Sequence, residues 1–171
     1  MGVLIMGKRY YIADLHIGDK NVMCYEHRPF KTVEEMKDTI IKNWNSVVND
    51  DDEVYLLGDI GDIDVIRRLK GKIIIVVGNH DNIDELKKEY PHIEINNHPI
   101  MVGYLWLSHE PIGYMPPECP YLNVHGHLHR FNYGLLSRNW EDGNRYFCVS
   151  VEQINYTPIS EEEIAQKLNF R

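Results

Sequence analysis

Five short apolar runs along the chain each end in a group of polar residues. The runs occupy residues 10–13, 54–57, 73–77, 105–107 and 122–124. Short runs of β-branched and aromatic residues that are bounded by Gly, Asp or His are typical of buried strands. The pattern therefore predicts five strands, and each strand carries polar side chains at its carboxyl end.

Helical segments are predicted between and after these strands. Apolar residues recur with a 3.6-residue period through residues 33–48, and Thr32 begins a capping box just before them. Asp62, Asn82 and Ser160 are N-cap residues for three shorter helices, and Ser160 also begins a second capping box. The last of these helices is predicted to end near Leu168.

The order of these elements predicts the fold class. Strands and helices alternate in the first half of the chain, and residues 93–157 are rich in strands. This order favours a mixed α/β (α+β) fold in which two packed sheets are flanked by helices. In open α/β sheets the reactive crevice lies beyond the carboxyl ends of the strands, where the polar groups of this chain are expected.

The composition excludes several classes of protein. The chain has 171 residues, of which 43% are hydrophobic and 26% are charged, and this is typical of one globular domain that spans residues 1–171. A net charge of −8 repels polyanions, so a nucleic-acid groove or a patch for anionic membranes is disfavoured. No run approaches the about 18 apolar residues that a membrane span needs.

The cysteines and the first residues bear on where the protein acts. Cys24, Cys119 and Cys148 are an odd number with no paired spacing, so we expect reduced thiols in a cytoplasmic protein. Met6 is a second candidate start site, which would make residues 1–7 a disordered leader. The sequence leaves homo-oligomer formation open.

The polar groups at the strand ends are weak signals singly and a strong signal together. A lone Asp-x-His or His-x-His after a strand is more often turn chemistry or packing than a site. Five such groups at one sheet edge have a common explanation in a metal centre. The candidate ligands are Asp14, His16, Asp59, Asn79, His109, His127 and His129.

The mixture of oxygen and nitrogen ligands indicates the kind of metal. Carboxylates, an amide oxygen and neutral imidazoles together suit Mn²⁺ first, with Fe, Zn²⁺ or Ni²⁺ as alternatives, better than Ca²⁺. Seven ligands exceed the need of one ion with an open position. Two divalent transition-metal ions that share a carboxylate fit the number, and such a pair promotes displacement at phosphorus.

The ordered motifs resemble those of the calcineurin-like metallophosphoesterase superfamily. They are Asp-Leu-His at residues 14–16, Gly-Asp-Ile-Gly-Asp at 58–62, Gly-Asn-His-Asp at 78–81, the isolated His109 and Gly-His-Leu-His at 126–129. Residues 21–30 and 150–159 also resemble a small bacterial and phage subgroup of predicted phosphoesterases. The resemblance implies a four-layer αββα sandwich with the metals at the sheet edge.

The resemblance also implies a role for each motif residue. Asp14, His16, Asp59 and His129 would hold one ion, and Asp59 would bridge to a second ion held by Asn79, His109 and His127. His80 and Asp81 would form the catalytic pair. His80 would protonate the leaving oxygen or steady the phosphoryl group, with Asn79 as a further substrate contact. Asp81 and Asp62 would orient the ligands or His80.

Arg28 and His125 lie near the motifs and have assignments of their own. Arg28 follows the first motif, and its guanidinium is predicted to bind a substrate phosphate through bidentate hydrogen bonds. The alternative is an ion pair with Glu34 or Glu35 at the start of the following helix. His125 lies two residues before His127 and is interpreted as part of the packing of its strand.

The favoured function is a binuclear metal-dependent phosphoesterase that uses a metal-bridging hydroxide on a small phosphorylated substrate, in particular a phosphodiester. No large insertion interrupts the motifs, so an open crevice is expected. A nuclease or cyclic-nucleotide phosphodiesterase is the alternative with the same chemistry. A metal-binding interaction scaffold without catalysis is the alternative from a different class.

Overall fold

A computed structural model describes residues 7–116, 118–131 and 145–168. The strands are β1 (Arg9–Ile12), β2 (Glu53–Leu56), β3 (Lys72–Val76), β4 (Glu94–Asn96), β5 (Ile100–Val102), β6 (Leu105–Ser108), β7 (Leu122–His125), β8 (Tyr146–Cys148) and β9 (Ile159–Ser160). The helices are α1 (Lys20–Tyr25), α2 (Val33–Val47), a 3₁₀ helix (Ile63–Arg68), α3 (Ile83–Glu89) and α4 (Glu161–Lys167). All five predicted strands and the predicted helices are present.

The first sheet has the strand order β4-β3-β2-β1-β9. Strands β1 to β4 are parallel, and β9 pairs with β1 in the antiparallel direction. Because the central strands run the same way, the loops after β1, β2 and β3 emerge at one edge. The motifs that follow these strands are therefore neighbours in space.

The second sheet has the strand order β5-β6-β7-β8, with β6, β7 and β8 parallel. It meets the first sheet at the end of β1, where Ala13 N–H donates to Val149 O over 2.9 Å and Val151 N–H donates to Ala13 O over 3.1 Å. This junction brings the carboxyl ends of β6, β7 and β8 next to those of the first sheet.

Two hydrophobic cores hold these layers together. One lies between the first sheet and the helices, where α2 buries Met36, Ile40 and Trp44. The other lies between the sheets and includes Tyr11 and Leu107. The mixed α/β class with two sheets flanked by helices is thus confirmed. The segment after β6 contacts the second sheet at β7, where Ile112 N–H donates to the Asn123 side chain over 2.9 Å.

The local capping predictions are confirmed with one correction. Ser160 and Glu163 form the full reciprocal capping box of α4, and Asp62 and Asn82 cap the 3₁₀ helix and α3. Thr32 accepts a hydrogen bond from Glu35 N–H, but the Glu35 side chain accepts from Lys31 N–H rather than from Thr32 N–H. The first capping box is therefore only half formed.

Three further expectations can be compared with the structure. All three cysteines are free thiols, as predicted. Among the described helices, none combines the length and apolar composition of a membrane span. The proposed leader lies outside the described residues except for Gly7, which packs against the backbone of Asp51.

Candidate metal centre

The candidate ligands occupy an unusual backbone conformation. Five of them have positive φ angles: Asp14 at 60°, His16 at 46°, Asp59 at 55°, His127 at 70° and His129 at 50°. Non-glycine residues rarely adopt this region, and each such residue costs of order 1–3 kcal/mol. The surrounding hydrogen bonds must enforce these turns, and such strain is concentrated at functional sites.

Two glycines allow the ligand loops to pack closely. A Cβ atom at Gly126 would lie 2.7 Å from Asp14 Oδ2, and one at Gly78 would collide with the Asp59 carboxylate. Neither position therefore has room for a side chain. The glycines of the third and fifth motifs are therefore required by the carboxylates of the first and second.

Asp59 lies at the centre of the cluster. Its Oδ2 atom is 3.4 Å from His16 Nε2 and 3.5 Å from His109 Nε2, and its Oδ1 atom accepts from His80 N–H over 2.9 Å. Burial by itself would raise the pKa of Asp59, but the neighbouring imidazoles and the His80 N–H lower it to about 2. Asp59 is therefore an ionised carboxylate at neutral pH with histidines on two sides.

Asp14, His16 and His129 form one group of potential ligands. Each offers one atom, and the three atoms lie within 4.8 Å of one another. Asp14 Oδ2 accepts from Ser150 Oγ over 2.6 Å and from His127 N–H over 2.9 Å. By contrast, Asp14 Oδ1 and His16 Nε2 are buried and have no hydrogen-bond partner in the described part of the chain.

Such unpartnered atoms indicate a cation. A buried polar atom without a partner costs about 1–3 kcal/mol, and burial also raises the pKa of Asp14. A divalent ion at these atoms would remove both penalties. The donor set of one carboxylate and two imidazoles therefore fits a transition metal.

Asn79, His109 and His127 form a second group. His109 Nε2 lies 2.9 Å from Asn79 Oδ1 and 3.2 Å from His127 Nδ1, which is itself 3.0 Å from Asn79 Oδ1. On its other side, His109 Nδ1 lies 2.8 Å from Leu57 O. Since a carbonyl oxygen only accepts, Nδ1 carries the proton and Nε2 presents a lone pair to the group. Converging lone pairs repel one another unless a cation lies between them.

All seven predicted ligands are thus brought together at one sheet edge, and the predicted catalytic residues His80 and Asp81 lie beside them. His80 is exposed, and its ring centroid is 5.6 Å from that of His16. Asp81 does not present its carboxylate to the opening. It accepts from Gly78 N–H and Asp59 N–H over 2.8 Å each and from Ile60 N–H over 2.9 Å. Asp81 therefore fixes the second and third motif loops.

Asp62 and His125 can each be compared with the role predicted for them. Asp62 is exposed and caps the 3₁₀ helix through Asp64 N–H, so the prediction that it orients ligands is wrong. His125 is buried within β7, as interpreted from the sequence, and this burial lowers its pKa to about 4.

The prediction that Arg28 grips substrate is wrong. Its side chain is fully buried, and the guanidinium donates to Leu15 O over 2.8 Å, to Asp14 O over 2.7 Å and to Glu152 Oε1 over 2.8 Å. The alternative pairing with Glu34 or Glu35 is also wrong, because the partner is Glu152. Arg28 lies behind the first motif and turns away from the opening.

Sequence reasoning missed Ser150 and Glu152 as parts of the centre. Ser150 donates to Asp14, and Glu152 Oε1 lies 3.1 Å from His129 Nδ1. A signal for them was present, because the apolar run at 146–149 also ends in polar residues.

Comparison with known proteins identifies the family. The family model for calcineurin-like phosphoesterases matches residues 8–167. The uncharacterized protein MJ1445 of Methanocaldococcus jannaschii is 36% identical over 166 residues, which cover 91% of this chain and 88% of that protein. The Gene 66 protein of Mycobacterium phage L5 is 32% identical over 116 residues, covering 63% of this chain and 52% of that protein.

A solved structure shares the fold. The protein of unknown function AQ665 from Aquifex aeolicus superposes with a TM-score of 0.70 at 27% identity, over 94% of this chain and 99% of that one. With the motif order, the clustered carboxylates and imidazoles and the family match over most of its length, the chain belongs to the calcineurin-like phosphoesterase family and is a hydrolase of phosphoric ester bonds.

Proposed function

We propose that this protein is a binuclear metallophosphoesterase that hydrolyses a small phosphodiester. The observation that carries the proposal is the convergence of carboxylate, amide and imidazole acceptor atoms near Asp59, of which Asp14 Oδ1 and His16 Nε2 are buried and without a hydrogen-bond partner among the described residues. Asp14 Oδ1 and His16 Nε2 belong to one ligand group, and Asn79, His109 and His127 contact one another in the second. Asp59 Oδ2 is nearly equidistant from His16 and His109, which favours this carboxylate as the bridge.

The proposed division of labour follows from these positions. Asp14, His16 and His129 would hold one divalent ion, and Asn79, His109 and His127 would hold the other, with Mn²⁺ as the favoured metal. Ions in these places would supply positive charge for the phosphoryl oxygens and bring the pKa of water near 7. His80, with its exposed ring next to His16, is the proposed proton donor to the leaving oxygen, and Asn79 is the second proposed substrate contact.

The preference for a diester is argued from charge. Two ions offset by two aspartates and a hydroxide leave a small net positive charge, which suits a monoanionic diester. A dianionic monoester would need a further cation, and Arg28 does not supply it because Glu152 neutralises it in the interior. The exposed positions of Asn79 and His80 leave the centre open to solvent on that side.

The test combines metal content with turnover. Protein stripped of metal and reconstituted with Mn²⁺ should bind about two equivalents and hydrolyse bis(p-nitrophenyl) phosphate faster than p-nitrophenyl phosphate, whereas metal-free protein should be inactive. Asp59→Asn should lose more than one equivalent because it removes the shared ligand.

Asp62→Asn is the matched control for this variant. It changes an exposed carboxylate three residues away that caps a helix, a role that Asn also fills. Its metal content and activity should equal those of the unaltered protein. Saturation at one ion or none would contradict the binuclear proposal.

A nucleotide diester is the second candidate substrate. Tyr25 is 80% exposed and Phe131 is 48% exposed, and their segments meet where Arg130 donates to His27 O over 2.6 Å. Glu26 in this region lies beside His129. Exposed aromatic rings stack on bases, with a gain of about 1–3 kcal/mol per base. Faster hydrolysis of thymidine 5′-(p-nitrophenyl) phosphate than of bis(p-nitrophenyl) phosphate would favour this candidate.

A further inference from the structure

A buried ion pair lies directly behind the first group of ligands. Arg28 Nη2 is 2.7 Å from Glu152 Oε1, and the two side chains are 0% and 2% exposed. The guanidinium also donates to the carbonyl oxygens of Asp14 and Leu15. The guanidinium therefore fixes the backbone of the first motif to Glu152, although 124 residues separate the two partners.

The same carboxylate oxygen contacts the last motif. Glu152 Oε1 lies 3.1 Å from His129 Nδ1. Since an ionised carboxylate only accepts hydrogen bonds, the His129 proton lies on Nδ1 and the lone pair lies on Nε2. A carboxylate in this position also makes an imidazole a stronger metal ligand.

Ser150, two residues before Glu152, makes a parallel link. Its hydroxyl donates to Asp14 Oδ2 over 2.6 Å and accepts from His129 N–H over 3.2 Å. The segment after β8 thus orients two members of the same ligand group. In the second group, His109 is oriented by the carbonyl oxygen of Leu57 instead of a carboxylate. The two groups therefore differ in the chemistry that supports them.

We propose that Glu152, neutralised by Arg28, is a positioning residue for one of the two metal sites, the one formed by Asp14, His16 and His129. It fixes the tautomer and direction of His129 and, through Arg28, the path of the first motif. This inference rests on the binuclear site of the proposed function and adds residues to which that proposal gives no role.

The experiment measures Mn²⁺ affinity at each site separately. His127→Ala removes a ligand of the second group and should leave the first site, whereas His16→Ala should leave the second site. Adding Glu152→Gln should weaken Mn²⁺ binding 10–100-fold in the His127→Ala protein and should leave binding unchanged in the His16→Ala protein. Calorimetry or the electron paramagnetic resonance of free Mn²⁺ gives both affinities without any assay of turnover.

Glu26→Gln is the matched control. Its carboxylate lies in the same group as Glu152 and His129, so the substitution removes a nearby negative charge and leaves the Glu152–His129 contact intact. Mn²⁺ affinity in the His127→Ala background should change little. An equal loss for Glu26→Gln and Glu152→Gln would show a general charge effect and overturn the positioning role.

A second variant distinguishes a loss of metal binding from a loss of folding. Glu152→Gln leaves the Arg28 charge buried without its partner, so the combined Arg28→Met and Glu152→Gln protein removes both charges. Thermal melts in chelator identify which variants fold. If the folded double variant binds both ions as tightly as unaltered protein, the inference is overturned. Unaltered protein that binds fewer than two ions instead contradicts the proposed function, and the Glu152 comparison still applies to the remaining ion.

Discussion

At the scale of single residues, His80 combines a fixed backbone with an exposed side chain. Its N–H group holds Asp59 Oδ1, whereas its ring lies at the opening beside His16. The two functions belong to different parts of the residue. Changing the side chain therefore alters the chemistry at the opening and leaves the support of Asp59 in place.

His80→Ala should keep its metal content and lose turnover by about 10²–10⁴-fold, the usual contribution of a general acid. The loss should shrink for diesters whose leaving groups need no proton, such as p-nitrophenolate. Turnover of a series of aryl esters measures this dependence, with the exposed His98→Ala as the control. An equal loss across the series would mean that His80 contacts the phosphoryl group instead of protonating the leaving oxygen.

The residue scale also shows what a sequence can reveal. Asp14, Asp59 and the motif histidines were predictable because they directly follow strands and parallel strands end together. The direction of Arg28 was not predictable, because a long side chain after a turn can point either to solvent or inward. Its partner Glu152 is distant in sequence and becomes a neighbour only when β8 joins the second sheet.

At the scale of elements, the candidate ligands and the C-terminal helix lie at opposite ends of the strands of the first sheet. The ligand loops leave the carboxyl ends of β1, β2 and β3, whereas α4 lies at the amino end of β1, where Arg9 contacts Glu161 over 3.4 Å. The strands of four or five residues were predictable from their apolar runs, and the capped helices from their caps and apolar period. The six-residue α1 and the two-residue β9 were missed because so few residues show no period.

Ser160→Ala should therefore lower stability without changing turnover. The Ser160 side chain accepts from Glu163 N–H over 3.3 Å, and loss of such a cap costs about 1 kcal/mol. Hydrogen bonds from the Ser160 backbone and hydroxyl lower the pKa of Glu163 in the folded protein. This carboxylate therefore stabilises the fold above its unfolded pKa of about 4.3, and the contribution is lost as the pH falls through the lower folded value.

Urea unfolding of Ser160→Ala at pH 7 and at successively lower pH measures both effects. The difference in free energy of unfolding from unaltered protein should shrink in acid. Ser46→Ala is the control, because Ser46 lies inside α2 and donates to Asn43 O of the same helix. A difference in free energy of unfolding that stays constant with pH would contradict the role given to Glu163.

At the scale of the whole molecule, the candidate metal centre lowers the free energy of unfolding of the metal-free chain. It buries carboxylates and imidazoles with unpartnered atoms and holds several residues in strained conformations. The overall charge of −8 adds to the repulsion between its acidic groups. Bound cations would relieve these penalties in the folded state only.

Mn²⁺ should therefore raise the melting temperature of chelator-treated protein. Free metal at 100 times the dissociation constant stabilises by about 2.7 kcal/mol per site, which corresponds to roughly 5–10 °C for a domain of this size. Differential scanning calorimetry with and without Mn²⁺ measures the shift. Asp59→Asn should show a smaller shift, and equal melting temperatures in the two conditions would contradict metal binding in the cluster.

The junction between Ala13 and residues 149–151 has a consequence for biosynthesis. The first ligands leave the ribosome early, but Asp14 acquires its Ser150 partner only after 136 further residues, and His129 acquires Glu152 after 23. A nascent chain that stops before this point exposes loose carboxylates and imidazoles. Loading with the correct metal is thus expected to follow translation of β8. A chain truncated before Ser150 should therefore not retain the two metal ions that are proposed for the site.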